Sequence, residues 1–246
     1  MTRLVGAELL KLRTTRTTWA LLGSALAIVL GVLILVLAFF ESGSSVSDRD
    51  LGALFSLTAI ADLLVLCLGI VGGAGEFRHG TITGTFLVTP SRWPAIAAKA
   101  IAYGMAGFAY AIATLLLTLA VALPWLAAKD ASFDLGGTAW ILPVSGRILY
   151  ATFTAVLGVG IGTLFRNQAA GLVTALVVLL AVEPALSAIS KPIARFGPSG
   201  AGLAMFGSDG FDGHGIPFGA GVALYLAYAL LLLGAGIALA LRRDVG

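Results

Sequence analysis

Charge is scarce in this chain. Only 11% of its 246 residues are Asp, Glu, Lys or Arg, against roughly a quarter in an ordinary soluble domain. So few charges cannot cover a globular surface. The length alone would accommodate one or two soluble domains, but the apolar runs leave no stretch from which to build one. Cysteine is reduced to Cys67, which excludes an internal disulfide; lying within an apolar run, it reads as a small buried hydrophobe. The two histidines, His79 and His214, fall in different loops with no cysteine nearby, so no metal-ligand spacing exists. No lysine follows a glycine: Leu10, Ala98, Ala128 and Ser190 precede the four lysines. A P-loop needs that glycine so that the backbone can wrap the phosphates. The chain therefore carries no P-loop and is not expected to be an enzyme. A net charge of +3 is too small and too scattered to suggest nucleic acid as a partner.

What the chain has is hydrocarbon: 59% of residues are hydrophobic and the mean hydropathy is +1.02. A membrane span needs about 20 mostly apolar residues to cross roughly 30 Å. Six stretches qualify, at about 19–40, 54–74, 101–126, 146–165, 169–189 and 218–241, each bounded by charge, Gly or Pro. The first follows Arg3, Lys11, Arg13 and Arg16 as a secretory signal would, but 19–40 exceeds a cleavable core of roughly 7–15 residues. It reads as a retained span. The fourth and fifth are separated only by Arg166, Asn167 and Gln168, which predicts a tight hairpin. The expected fold class is all-α: a polytopic transmembrane helical bundle of about six spans, forming a single transmembrane domain over 1–246, with five spans as the rival count.

Basic residues set the orientation. With the N-terminus in the cytoplasm, Arg3, Lys11, Arg13, Arg16, Arg78, Arg92, Lys99, Arg166, Arg242 and Arg243 lie inside, ten of the fifteen. Glu41, Asp48, Asp50, Asp130, Asp134, Asp209 and Asp212 then lie outside. Both termini are thus expected in the cytoplasm, in a multi-pass protein of the cell membrane. The high Ala and Gly content points to a bacterial source. Residues 2–16 mix Leu4, Val5, Leu9 and Leu12 with Arg3, Glu8, Lys11 and Arg13. This segment is either a helix lying on the inner membrane face or a plain basic flank. Gly69/Gly73 and Gly158/Gly162 are GxxxG pairs, which permit close helix approach without naming an interface.

The segment 75–93, between spans two and three, is expected in the cytoplasm. Thr81 can cap a helix and Pro90 stops one. Ile82 and Phe86 share a face, so a helix of about two turns would carry an apolar ridge, flanked by Glu76, Arg78 and Arg92. Such a ridge can dock another protein or fold back onto lipid headgroups.

Glu76-x-x-x-Gly80-Thr81 followed by Leu87-Val88-Thr89-Pro90-Ser91-Arg92 resembles the coupling segment of type-2 ATP-binding-cassette (ABC) transporter permeases. The stretch from Gly158 through Arg166-Asn167-Gln168, Glu183-Pro184, and the opening Glu8-Leu9-Leu10-Lys11-Leu12-Arg13 resemble small bacterial six-span members of that family. The likeness covers nearly the whole chain. It implies a permease subunit of an exporter, working with a second copy or paralogue on a cytosolic ABC ATPase dimer that uses ATP and Mg²⁺; this chain itself would hold no cofactor. By the same resemblance Glu76, Gly80, Thr81, Phe86, Leu87, Pro90 and Arg92 dock in the ATPase, and 2–16 is a connecting helix. The implied cargo is amphipathic or hydrophobic. In similar permeases the outer loop, here 190–217, carries a re-entrant element; its composition alone says only a loop resting on the membrane.

Asp62 and Glu183 fall within expected spans, where an acid costs roughly 2.5–3.5 kcal/mol at the bilayer centre and faces the bundle interior by default. Arg147 and Glu183 reach similar heights above the 166–168 turn, which predicts an Arg147–Glu183 pair near the outer face, with Pro184 bending the helix. Such a pair would serve as an inter-helix latch or in the substrate path. Asp62 is left without an evident partner. Three other readings compete. One is a secondary transporter or channel subunit, though no clear repeat supports it. Another is a non-transporting immunity or sensory subunit of the same architecture. Finally, Gly197-Pro198-Ser199-Gly200 matches the Gly-x-Ser-Gly of rhomboid proteases, whose serine must start a helix opposite a histidine; here Ser199 and both histidines are expected in loops.

Overall fold

The computed structural model describes residues 1–39, 45–46, 54–78, 92–129, 132–133, 140–207 and 215–242, with the backbone alone at 45–46, 76–78, 92, 132–133 and 241–242. Six helices in it are long and apolar enough to cross a membrane: Arg16–Ala38, Leu54–Gly75, Trp93–Ala128, Ile141–Phe165, Gln168–Ile189 and Phe218–Ala240. The chain has the build of a multi-pass membrane protein.

Two spans begin earlier than the apolar runs suggest. The third starts before Lys99, because that lysine is neutralised where it stands. Its ammonium lies 2.6 Å from Glu8 of the N-terminal helix Thr2–Thr14, and both side chains are buried. The fourth extends one turn before 146, because Arg147 is also paired.

The fourth span is the hub, packed against the second, third and sixth. It joins two cores. On one side Ala151 and Ala155 meet Val29 and Leu33 of the first span, Val65 of the second and Ala111 of the third. On the other, Leu157 and Ile161 meet Ile70, Ala175 of the fifth span and Tyr225 and Ala229 of the sixth. Water gives helices no reason to associate inside a bilayer, so close packing must do it. The two GxxxG pairs face each other: a methyl group on Gly158 would stand 3.0 Å from the Gly69 Cα, and one on Gly73 3.1 Å from the Gly162 Cα. These spans touch backbone to backbone.

The fourth and fifth spans join through Arg166 and Asn167. Arg166 adopts φ 55° and its N–H closes the fourth span on the Gly162 carbonyl. The Asn167 side chain then caps the fifth span, accepting from the N–H groups of Ala169 and Ala170 at 3.0 and 3.2 Å. The fifth span is itself interrupted: Gln168–Val177 passes into a π-helical turn, Val178–Val182, before Glu183–Ile189. Pro184 lacks an N–H and crowds the carbonyl four residues back, and the wider turn accommodates it.

The stretch 190–217 is more than a loop. It contains the helices Lys191–Phe196 and Pro198–Met205. Pro192 and Pro198 sit in first turns, where the missing N–H has no cost. The second helix enters the bundle: Ala201 and Met205 belong to the core with Tyr225, and Phe206 meets the Tyr150 ring edge-on at 5.1 Å. Beyond the helices, Ser45–Val46 and Ser132–Phe133 form one parallel bridge, joining the segments that follow the first and third spans. The Lys129 ammonium donates to the Leu37 carbonyl at 3.1 Å at that same end, opposite the N-terminal helix.

Candidate functional site

The polar centre of the bundle is Asp62 with Arg147. A short 3₁₀ turn, Ala59–Ala61, breaks the second span just before Asp62, which opens the helix Asp62–Arg78. Asp62 lies eight residues inside its span and Arg147 six inside the fourth, depths of about 12 and 9 Å at 1.5 Å per residue. Arg147 Nη1 donates to Asp62 Oδ2 at 2.5 Å and Nη2 to Oδ1 at 3.0 Å, a bidentate fork. Each side chain is 1% exposed. The guanidinium also lies 5.5 Å over the Tyr110 ring of the third span, an added attraction in a desolvated site. Tyr110 Oη has no hydrogen-bond partner among the described residues. The arrangement locks the second span to the fourth, with the third alongside.

The expected Arg147–Glu183 pair is therefore corrected. Equal height along two helices does not fix direction around them. Arg147 points at the second span, while Glu183 points at the helix Pro198–Met205. Glu183 Oε1 accepts the Ser199 N–H at 2.6 Å, an anionic acceptor at a helix start where Gly197 supplies no side-chain cap. Glu183 Oε2 is buried and has no partner among the described residues. Ser199, expected in a loop, stands in the first turn of that helix; His79 and His214 lie outside the described residues.

Of the coupling segment, Glu76 and Arg92 lie at helix ends, in Asp62–Arg78 and Arg92–Ala128. Gly80, Thr81, Phe86, Leu87 and Pro90, with the short helix expected across them, lie outside the described residues. The N-terminal helix is well placed. Leu12 is buried with Leu68, Ala100 and Tyr103, and Val5 and Leu9 pack against the same cluster. It thus rests on the bundle beside the start of the third span. Glu8 also accepts from Lys11 at 2.6 Å, so one buried acid holds two bases.

A cleft of about 240 Å³ lies between the second, fourth, fifth and sixth spans, lined by Leu66, Thr154, Leu157, Ala175, Tyr225 and Leu232 among others. Sequence reasoning did not find it, nor the roles of Lys99 and Tyr110. Among the described residues no group of three or more His, Cys, Asp or Glu could hold a metal.

No protein-family model matches the chain, and no curated protein matches it.

Proposed function

We propose that the chain is the permease subunit of an ABC exporter, contributing to a translocation path for an amphipathic or hydrophobic molecule and driven by a separate ATPase. The observation that carries this reading is the geometry around the second and third spans. The N-terminal helix, held by Glu8 and Lys99, rests beside the start of the third span, and the sequence that joins the second span to the third carries the Glu76-x-x-x-Gly80-Thr81 and Leu87-x-x-Pro90 pattern. A docked ATPase would touch both elements at once; a push on the second span would reach the fourth through the facing glycines, and one on the N-terminal helix would reach it through the third span. The positive-inside distribution of basic residues supports a cytoplasmic place for that end of the bundle.

The test is purification of the tagged protein in mild detergent from its native host. A stoichiometric soluble subunit bearing a P-loop is expected, and Phe86→Asp should remove it while leaving the permease folded. A chain that runs alone in several detergents would count against an ABC assembly and favour a secondary transporter or channel.

A further inference from the structure

The cleft has a direction. On the fourth span its lining residues are Tyr150, Thr154, Leu157, Ile161, Leu164 and Phe165, spaced to form one helical stripe. From the first to the last is about 22 Å at 1.5 Å per residue, most of a hydrocarbon layer roughly 30 Å thick. A long, narrow, apolar volume parallel to the spans matches an extended chain and not a compact ring system.

The mouth faces sideways. Thr174 and Val178 line the cleft on the fifth span yet are exposed, and half-buried Tyr228 and Leu232 line it on the sixth. Thr174 is six residues inside its span, about 9 Å from the end. At that depth the opening meets acyl chains and not water, so an occupant arrives from the bilayer.

Polar groups gather toward the end away from Phe165. Tyr225 and Thr154 satisfy each other at 2.9 Å, and the Tyr228 hydroxyl donates to the Phe196 carbonyl at 2.6 Å. Ser199 lines the cleft there, and behind it stands Glu183, 5% exposed, with Oε2 unpartnered among the described residues. A buried acceptor left open favours a donor. A carboxylate brought to the same place would set two acidic groups together with little water to screen them.

We infer that this cleft binds the single long hydrocarbon chain of an amphiphile whose head is a hydrogen-bond donor, an amine or an alcohol, entering between the fifth and sixth spans with its head at Ser199, in front of the buried Glu183 carboxylate. The site does not depend on the transport reading, since binding needs no ATPase.

The test uses the full chain in nanodiscs with hexadecylamine carrying a mid-chain diazirine. After photolysis, adducts are mapped by mass spectrometry. Saturable labelling is expected on Leu157, Ile161 and Leu179, competed by hexadecylamine and hexadecanol and poorly by hexadecanoic acid. Thr174→Trp, at the exposed mouth, should cut it roughly tenfold. Val173→Trp, one residue away on the lipid face, should leave it unchanged. Glu183→Gln should abolish the preference for amine over acid while chain labelling persists. Labelling spread over Val173, Leu231 and other lipid-facing residues, or unaltered by Thr174→Trp, would overturn the site. Equal competition by the acid in the wild-type protein would overturn the head assignment.

Discussion

At the scale of single residues, Asp62 and Arg147 show why a buried charge pair is costly to break and cheap to replace. Removing one partner strands the other in a medium that cannot hydrate it, at about 3–5 kcal/mol; replacing both with apolar groups is often neutral. Asp62→Asn and Arg147→Gln are each expected to lower the melting temperature in detergent sharply. The double variant Asp62→Leu with Arg147→Met should be more stable than either. Additive losses would show that the fork, short as it is at 2.5 and 3.0 Å, does not couple the two residues. The pair also marks how far the sequence could be read. That Asp62 and Glu183 needed partners was evident from their place among apolar residues. Which partner each took depended on rotation about the helix axis, and spans that are apolar all round leave no polar stripe from which to fix it.

At the scale of elements, apolar length was legible and its limits less so. The run 54–74 and the helix Leu54–Gly75 nearly coincide, because both ends lack competing signals. The third and fourth spans were misjudged where Lys99 and Arg147 looked like water-facing ends; each is paired with an acid more than eighty positions away in the chain. The helices within 190–217 were missed because its composition reads as a loop; Pro192 and Pro198 sit in first turns, where proline starts a helix as readily as it ends one. The facing glycines of the second and fourth spans yield the prediction of this scale. Gly158→Leu places carbon against the Gly69 backbone, and spans must part to admit it, at about 1–3 kcal/mol. Gly31→Leu, where nothing lies within 4 Å, should leave the melting temperature unchanged. Equal effects of the two would mean that the glycine contact contributes nothing to association.

At the scale of the molecule, the two ends of the bundle differ in chemistry. One carries the N-terminal helix and the Arg166 turn, whose guanidinium donates to the Leu239 carbonyl at 3.1 Å. The other carries the parallel bridge and the helix pair 191–205. With Cys67 replaced by alanine, a single cysteine at Phe39, 82% exposed, should react with a membrane-impermeant maleimide in intact cells. One at Gly6, where nothing lies within 4 Å, should react only after lysis. The reverse pattern would invert the orientation drawn from the basic residues, and with it the side on which an ATPase could dock.

The turn at Arg166 and Asn167 has a mechanical meaning. Two residues, one in the left-handed region and one locked as a cap, leave the fifth span no freedom to slide along the fourth at that end. They leave it free to tilt. Pivoting there, a lever of 22 residues is about 33 Å long, and a tilt of about ten degrees carries its far tip about 6 Å while the pivot hardly moves. The fifth span, with few buried side chains along it, is held at its far end by Glu183, gripping the Ser199 N–H. The gap that opens is a wedge, narrow beside Phe165 and wide beside Ser199, and the hydrogen bond from Ser199 to Glu183 stands where the leverage is greatest.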